Sequence, residues 1–307
     1  MKCKKCGQKA ILELKHHNIA FCKEHFLDWM LLQTERVIQK YKMFSKEERL
    51  LLAVSGGKDS LSLWDVLWQL GYQVHGVYLD LGINEKHPYS QKSGDFTRKF
   101  AEQRGLELTS IDIKAQYGES IPEMAARTKR GHMKPCSQCG LVKRYLLNKV
   151  ALDGGYHAIL TAHNLDDETA FLFANVTHWS MDYLGRQYPV LPATTGFARK
   201  AKPFCYFYER ETAAYALLRG IDYVYTECPY SENSKQLRNK TYLNIMEDEQ
   251  PGFKTQFYLG YLRALKTGAF PKRQESAQAL EEKRCARCGQ PTQSDGLCTF
   301  CRLIAKK

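Results

Sequence analysis

An unbroken apolar run, Leu50-Leu51-Leu52-Ala53-Val54, passes directly into Ser55-Gly56-Gly57-Lys58-Asp59-Ser60, and this junction restricts the fold more than any other feature of the chain. Five apolar residues without polar alternation are the pattern of a strand covered on both faces, as in parallel sheets. Residues 61–70 then read as a helix closed by Gly71. Further strands are predicted at 74–79, 108–113 and 157–161, with 221–225 as one more, and helices at 29–41, 96–104 and 141–152. Strands alternating with helices predict an α/β chain with a doubly wound, mostly parallel sheet, whose ligand-binding loops follow the strands.

The loop after the first of these strands has the chemistry of a phosphate site. Gly56 and Gly57 let the backbone approach a phosphate closely. Ser55 and Ser60 offer hydroxyls, Lys58 offers charge, and the new helix presents unpaired N–H groups and its positive dipole end. Asp59 among these donors suits a Mg²⁺ ion bridging nucleotide oxygens. The alternative is a plain glycine turn capping a helix, which Gly-Gly alone would not exclude. The spacing is not that of the Gly-x4-Gly-Lys-Ser/Thr loop of γ-phosphate-transferring ATPases. The six-residue string resembles the signature of the N-type ATP pyrophosphatases, which split ATP into AMP and pyrophosphate. That resemblance implies ATP, with its adenine over the strand ends near the backbone of Ala53, Leu79 and Ala162.

Ten of the 11 cysteines fall into three groups. Cys-x2-Cys pairs in a chain without a secretory signal indicate metal before disulfides. Cys285, Cys288, Cys298 and Cys301 form a four-thiolate zinc pattern. Cys3, Cys6 and Cys22 with His25 form a second zinc set, and His16 and His17 fit its spacing less well. The third group is Cys136 and Cys139, just before a helix that places Cys139 and Lys143 on one face, together with the distant Cys228. Three thiolates suit a 4Fe–4S cluster with one open iron, which could hold hydrosulfide. A structural zinc with a further ligand such as His132, or a persulfide or disulfide at the Cys-x2-Cys pair, remains an alternative on spacing alone. Cys205 reads as a small buried hydrophobe.

Cys136-Ser137-Gln138-Cys139-Gly140-Leu141-Val142-Lys143-Arg144, the string Ala162-His163-Asn164-Leu165-Asp166-Asp167-Glu168, and the late Cys228-Pro229 together resemble the TtuA-type tRNA 2-thiouridine synthases. The paired terminal zinc sites extend the resemblance over almost the whole chain. It implies a 4Fe–4S cluster on Cys136, Cys139 and Cys228, and catalysis by Lys143 and Asp167, with Asp166 beside the latter left open. It also implies that ATP adenylates the C2 oxygen of a uracil and that sulfur then expels AMP, at T-loop position 54. Uridine 34 or cytidine 32 of the anticodon loop is the nearest alternative. A zinc-dependent RNA-binding protein with a vestigial ATP site is the alternative of another class. The implied sulfur donor is a thiocarboxylated ubiquitin-like protein or free hydrosulfide.

Charge agrees with a tRNA partner, since 45 Lys and Arg against 33 Asp and Glu give +12. Between residues 114 and 148, in and beyond a polar insertion predicted at 114–135, Lys and Arg occur at 114, 127, 129, 130, 134, 143 and 144, against Glu119 and Glu123. Arg199-Lys200-Ala201-Lys202 and the region of Arg238 and Lys240 are further basic stretches that would hold phosphates. No apolar run reaches the roughly 20 residues of a membrane helix. Nor does an apolar stretch follow the basic N-terminus, so a cytoplasmic protein without membrane contact is expected. The expected division is a zinc knuckle at 1–28, a connecting helix at 29–45, the ATP pyrophosphatase domain at 46–274, and a second knuckle at 275–307 behind a charged linker at 275–284. A homodimer is left open.

Overall fold

The structure, a computed structural model, describes residues 1–84, 87–128, 135–231, 234–270 and 283–305. The basic residues 129–134, His132 among them, and residues 275–282 of the predicted linker lie outside these segments. The chain opens with a hairpin of β1 (Leu12–Leu14) and β2 (Ile19–Phe21), joined by a 3-10 turn at Lys15–His17. α1 (Lys23–Lys40) follows, and its buried Phe26, Met30, Thr34, Val37 and Ile38 recur every three or four positions, so one stripe faces the core.

β3 (Leu50–Val54), α2 (Lys58–Gln69), β4 (Val74–Asp80), α3 (Tyr89–Arg104) and β5 (Leu108–Asp112) make two successive β–α–β units with parallel strands. α4 (Ile113–Tyr117) and α5 (Ile121–Arg127) occupy the segment expected to be a long polar insertion. A capping box between Ser120 and Glu123 starts α5, which buries Ile121 and Met124. α6 (Cys136–Asp153), β6 (Ala158–Leu160), α7 (Leu165–Thr177), α8 (Met181–Leu184), β7 (Val190–Leu191) and β8 (Arg199–Ala201) follow. α9 (Glu209–Leu218), α10 (Lys235–Glu249), α11 (Phe253–Lys266) and α12 (Thr299–Ile304) complete the order. No helix among the described residues is long and apolar enough to cross a membrane.

The strand order is β5-β4-β3-β6-β8-β7, parallel throughout except for β7 at one edge. This is the doubly wound α/β sheet that the alternation predicted. Leu50, Leu52 and Val54 enter one apolar cluster with Leu63, Trp64 and Leu67 of α2, while Leu51 enters the opposite cluster with Val77, Ile159, Val142 and Leu146. Burial on both faces is why β3 carries no polar alternation, at about 1.5–3 kcal/mol for each large side chain. α2 is buried from Ser60 through Leu67. It approaches the sheet so closely that a Cβ on Gly76 of β4 would lie 2.3 Å from the Trp64 ring.

Two expectations are corrected. Residues 221–225 form no strand; the N–H of Val224 is taken by the carbonyl of Gly56, 2.9 Å away, rather than by a sheet neighbour. The strand beside β6 is β8 instead, inside the run Arg199 to Lys202 expected to hold phosphates. Two of its three cations are engaged within the fold: Arg199 pairs with Glu48, and Lys202 lies 2.8 Å from Glu168. Burial lowers the Lys200 ammonium, and Ala201 is fully buried.

One buried ion cluster ties α2 to its neighbours. Asp65, fully buried, receives Arg104 of α3 at 2.8 Å, Arg219 just beyond α9 at 2.9 Å, and the Tyr215 hydroxyl at 2.7 Å. Burial alone would raise this carboxyl, but the Arg219, Tyr215 and Arg104 donors outweigh it and hold it below the usual carboxylate range. Its contribution is therefore full above the unfolded-state pKa and is lost as pH falls through the depressed folded value. Asp65→Ala should lose about 3 kcal/mol, because it leaves two partly buried cations without their buried counter-charge. Urea unfolding at neutral pH measures the loss, and the gap between variant and wild type should narrow on acidification.

Candidate active site and metal centres

The phosphate loop is held from within. Ser60 Oγ accepts from Ser55 N at 3.1 Å and donates to Gly57 O at 3.0 Å, closing the loop onto the first turn of α2. Gly56 has φ +74°, and a Cβ there would stand 2.3 Å from the Ser93 carbonyl oxygen of α3. The fold itself therefore demands glycine at this position. Gly57 has an ordinary φ of −87°, and an added Cβ would meet only Ser55 Oγ at 3.5 Å. Any demand for glycine there comes from what the loop binds.

A chain of alternating charge runs from this loop. Lys58 Nζ lies 3.1 Å from Asp59 and 2.6 Å from Glu209 at the start of α9. The other oxygen of Glu209 is 2.9 Å from Lys240 of α10, whose ammonium also lies 2.7 Å from Asp167 in the first turn of α7. Asp59 further accepts from Thr212 and, at 3.3 Å, from Asn164. Burial would raise Glu209, yet Lys240 and Lys58 bring it down to about 2. Asp59 stays above its usual value, through burial first and then the nearby Glu209 and Asp167, despite Lys58 and Thr212. Three carboxylates against two ammonium groups leave an excess of negative charge, a donor set that accommodates a divalent cation.

The two adjacent aspartates occupy different surroundings. Asp166 is buried, with Lys254 Nζ at 2.5 Å and Glu209 N at 2.8 Å, so it organises the helix junction. Asp167 caps α7 by accepting from Asn164 N at 3.1 Å and keeps its other oxygen on the charge chain. Lys240, expected on an RNA-facing surface, is part of this chain. Glu209, Thr212 and Lys254 were not found from sequence, since their partners lie far away along the chain.

On the other side of β3, Ala53, Ser55, Leu79 and Lys143 line one cavity with Tyr89 and Leu147. Ala162 does not line it; it follows β6, the neighbour of β3. α6 carries Cys136, Cys139 and Lys143 within its first turns, so the lysine sits one turn beyond Cys139. Cys228 comes from the segment after α9. Its thiol is raised by burial, further by Cys139 and Cys136, and lowered by Lys143, so the four groups lie in one another's field. Tyr89, also missed in the sequence, is pushed up to about 12 by burial and then by Cys228 and Cys139. It lines the cavity and lies within the field of two of the thiols.

The three thiols do not form a compact single-ion set. Both terminal clusters have all ligand atoms within 4.8 Å of one another, a spacing the trio does not meet. In the terminal clusters Cys6 and Cys22 sulfurs are 3.8 Å apart, as are those of Cys288 and Cys298. That is the edge of a tetrahedron with bonds of about 2.3 Å, the zinc–sulfur length. His25 Nδ1 lies 3.1 Å from Cys22 Sγ and completes the first set with Cys3. His16 and His17 instead gather with Glu211, where His16 Nε2 is 3.0 Å from the carboxylate. Cys285 and Cys301 complete the second set. Cys205 is fully buried, its thiol raised by burial.

Comparison with known proteins bears on the family and the fold. Residues 2–27 match the family described as 2-thiouridine synthetase TtuA, N-terminal LIM domain, and residues 30–245 match the PP-loop domain. The tRNA-5-methyluridine(54) 2-sulfurtransferase of Thermus thermophilus is 46% identical over 303 residues, covering 99% of this chain and 91% of that protein. The protein of the same description from Pyrococcus horikoshii is 40% identical over 307 residues, covering 100% and 94%. The structure of the U34-tRNA thiolase NcsA from Methanococcus maripaludis with its 4Fe-4S cluster superposes with TM-score 0.79 at 25% identity, covering 99% and 95%.

The two loop glycines should separate on substitution. Gly56→Ala forces a left-handed residue, costing roughly 1–2 kcal/mol, and drives a methyl group into Ser93. It should lower the thermal midpoint as well as ATP affinity. Gly57→Val should keep the midpoint and lose ATP binding alone. Thermal unfolding beside ATP titration distinguishes the two.

Proposed function

The chain belongs to the TtuA family of tRNA 2-sulfurtransferases with a PP-loop core, and on that premise we propose that it replaces the C2 oxygen of 5-methyluridine at tRNA position 54 with sulfur, using ATP. The observation that carries the reading is α6, which presents Lys143 to the cavity beside Ser55 and, one turn earlier, Cys139 to the thiol trio. Activation and sulfur delivery thereby meet at one place.

The uracil C2 oxygen attacks the α-phosphorus of ATP; the new O–P bond forms as the bond to pyrophosphate breaks. The backbone and hydroxyls of residues 55–60 and the α2 N-terminus hold the departing phosphates. ATP phosphates draw Lys58 and Lys240 from their carboxylate partners, which frees Asp59 and Asp167 toward Mg²⁺. Lys143 offsets charge developing on the α-phosphate. Sulfur then bonds to C2, the C2–O bond breaks with its electrons, and AMP leaves with the oxygen. Asp167, rather than the buried Asp166, is positioned to take a proton or hold the cation. A 4Fe–4S cluster held by Cys136, Cys139 and Cys228 would supply an iron without a cysteine ligand for binding inorganic sulfur. Zinc is assigned to the two terminal clusters. The sulfur comes from a thiocarboxylated ubiquitin-like protein or free hydrosulfide.

Two experiments test this reading. Cys228→Ala, prepared anaerobically, should lose iron and thiolation yet keep two zinc ions, whereas Cys288→Ala should lose one zinc and keep its iron; metal analysis of both decides. Asp167→Asn should lower the single-turnover thiolation rate about 100-fold or more while ATP affinity changes little. A variant that binds ATP poorly but reacts normally at saturation would assign Asp167 to binding alone.

A further inference from the structure

A groove of about 410 Å³ lies outside the cavity and thiol site described above. Lys92, Phe96 and Lys99 of α3 form one wall, and Val224, Tyr225 and Thr226 the other. Both walls end on the same phosphate-loop residue. Ser93 of α3 fills the space where a Gly56 Cβ would stand, and Val224 N donates to Gly56 O at 2.9 Å. From Thr226 the chain runs on to Cys228. One wall is thus tied to the ATP loop and continuous with the thiol site.

The chemistry inside the groove is mixed. Phe96 and Val224 are half-buried, while Tyr225 is 69% exposed, its ring leaning on Tyr223 with centroids 4.3 Å apart. Lys92 and Lys99 are exposed. The acid in the groove, Asp95, pairs with Arg98, and Lys99 pairs with Asp222 at the rim, 2.8 Å away. Aromatic faces between cations suit single-stranded nucleic acid, where bases stack and phosphates meet lysines. A peptide would seek unpaired backbone along an open edge, and the Val224 N–H is already given to Gly56. The volume lies within the roughly 300–1,000 Å³ of small-ligand sites.

We infer that this groove holds an unstacked tRNA nucleotide neighbouring the target base, stacked on Tyr225 with its phosphate at Lys92 and Lys99. The inference rests on the tRNA reading proposed above and adds where the strand runs beside the loop. Base extraction from a folded RNA displaces flanking nucleotides, which require such a place.

The test uses the full chain and a tRNA carrying 5-methyluridine at position 54. Tyr225→Ala should weaken tRNA binding about tenfold, as loss of one stacked base does, and Tyr225→Phe should restore it. Lys92→Ala combined with Lys99→Ala should reduce the salt dependence of log affinity by about 0.7 for each phosphate no longer neutralised. ATP affinity, measured on the same preparations, should match wild type. If Tyr225→Ala loses ATP binding as well, the salt slope of the lysine variant decides alone. Unchanged tRNA affinity and slope, in a protein whose wild type thiolates this tRNA, overturns the groove assignment. So does a defect confined to sulfur transfer from a thiocarboxylated carrier, which gives the groove to a peptide tail. Failure of the wild type to thiolate any tRNA overturns the function reading instead.

Discussion

Five side chains of alternating sign, Asp59, Lys58, Glu209, Lys240 and Asp167, link α2, α9, α10 and α7 at the carboxyl edge of the sheet. The rest of the site depends on this chain. Each member is only partly exposed, so the attractions are screened less than on an open surface, while burial penalises any member left alone. The arrangement holds two lysines where phosphate would otherwise have to recruit them from solvent. It also leaves one carboxylate in excess, so an arriving nucleotide would exchange partners within the chain instead of adding charge to an unprepared pocket. Such preorganisation is the usual source of electrostatic catalysis.

The two termini solve one local problem twice. In Cys3-Lys4-Lys5-Cys6-Gly7-Gln8 and Cys285-Ala286-Arg287-Cys288-Gly289-Gln290, the first cysteine N–H bonds the glutamine carbonyl at 2.7 and 2.9 Å. The glycine N–H returns to the first cysteine carbonyl at 2.8 and 2.9 Å. Equal knuckles nevertheless dock differently. The first joins the apolar cluster of α1 and α2 through Phe21 and Phe26, whereas the second joins that of α6 through Phe300 and Leu303. The sheet therefore carries a cysteine-rich buttress on each face.

What could be read in the sequence was what local pattern determines. The buried strand, the glycine loop and the following helix need only neighbours in sequence, and Cys139 with Lys143 needs only helical spacing. Cys3-x2-Cys6 with Cys22-x2-His25 was legible for the same reason. The strand expected at 221–225 failed because Ile221-Asp222-Tyr223-Val224-Tyr225 has β-forming side chains while its backbone serves the phosphate loop. β8 was hidden by Arg199 and Lys200 within it and Lys202 after it; the counter-charges of Arg199 and Lys202, Glu48 and Glu168, come from elsewhere in the fold. Glu209 was illegible for the same cause: its partner Lys58 is 151 residues away.

α6 is one rigid rod with three attachments. Cys136 and Cys139 stand at its beginning, Lys143 follows a turn later, and Tyr145 stacks on Phe300 of the C-terminal knuckle with ring centroids 3.6 Å apart. With a rise of about 1.5 Å per residue, the span from Cys139 to Lys143 is a fixed ruler of about 6 Å. The two cysteines and the lysine therefore cannot be positioned separately, because any tilt or roll that moves one carries the others with it. The C-terminal knuckle, through Phe300 on Tyr145, is the set-screw for that single alignment.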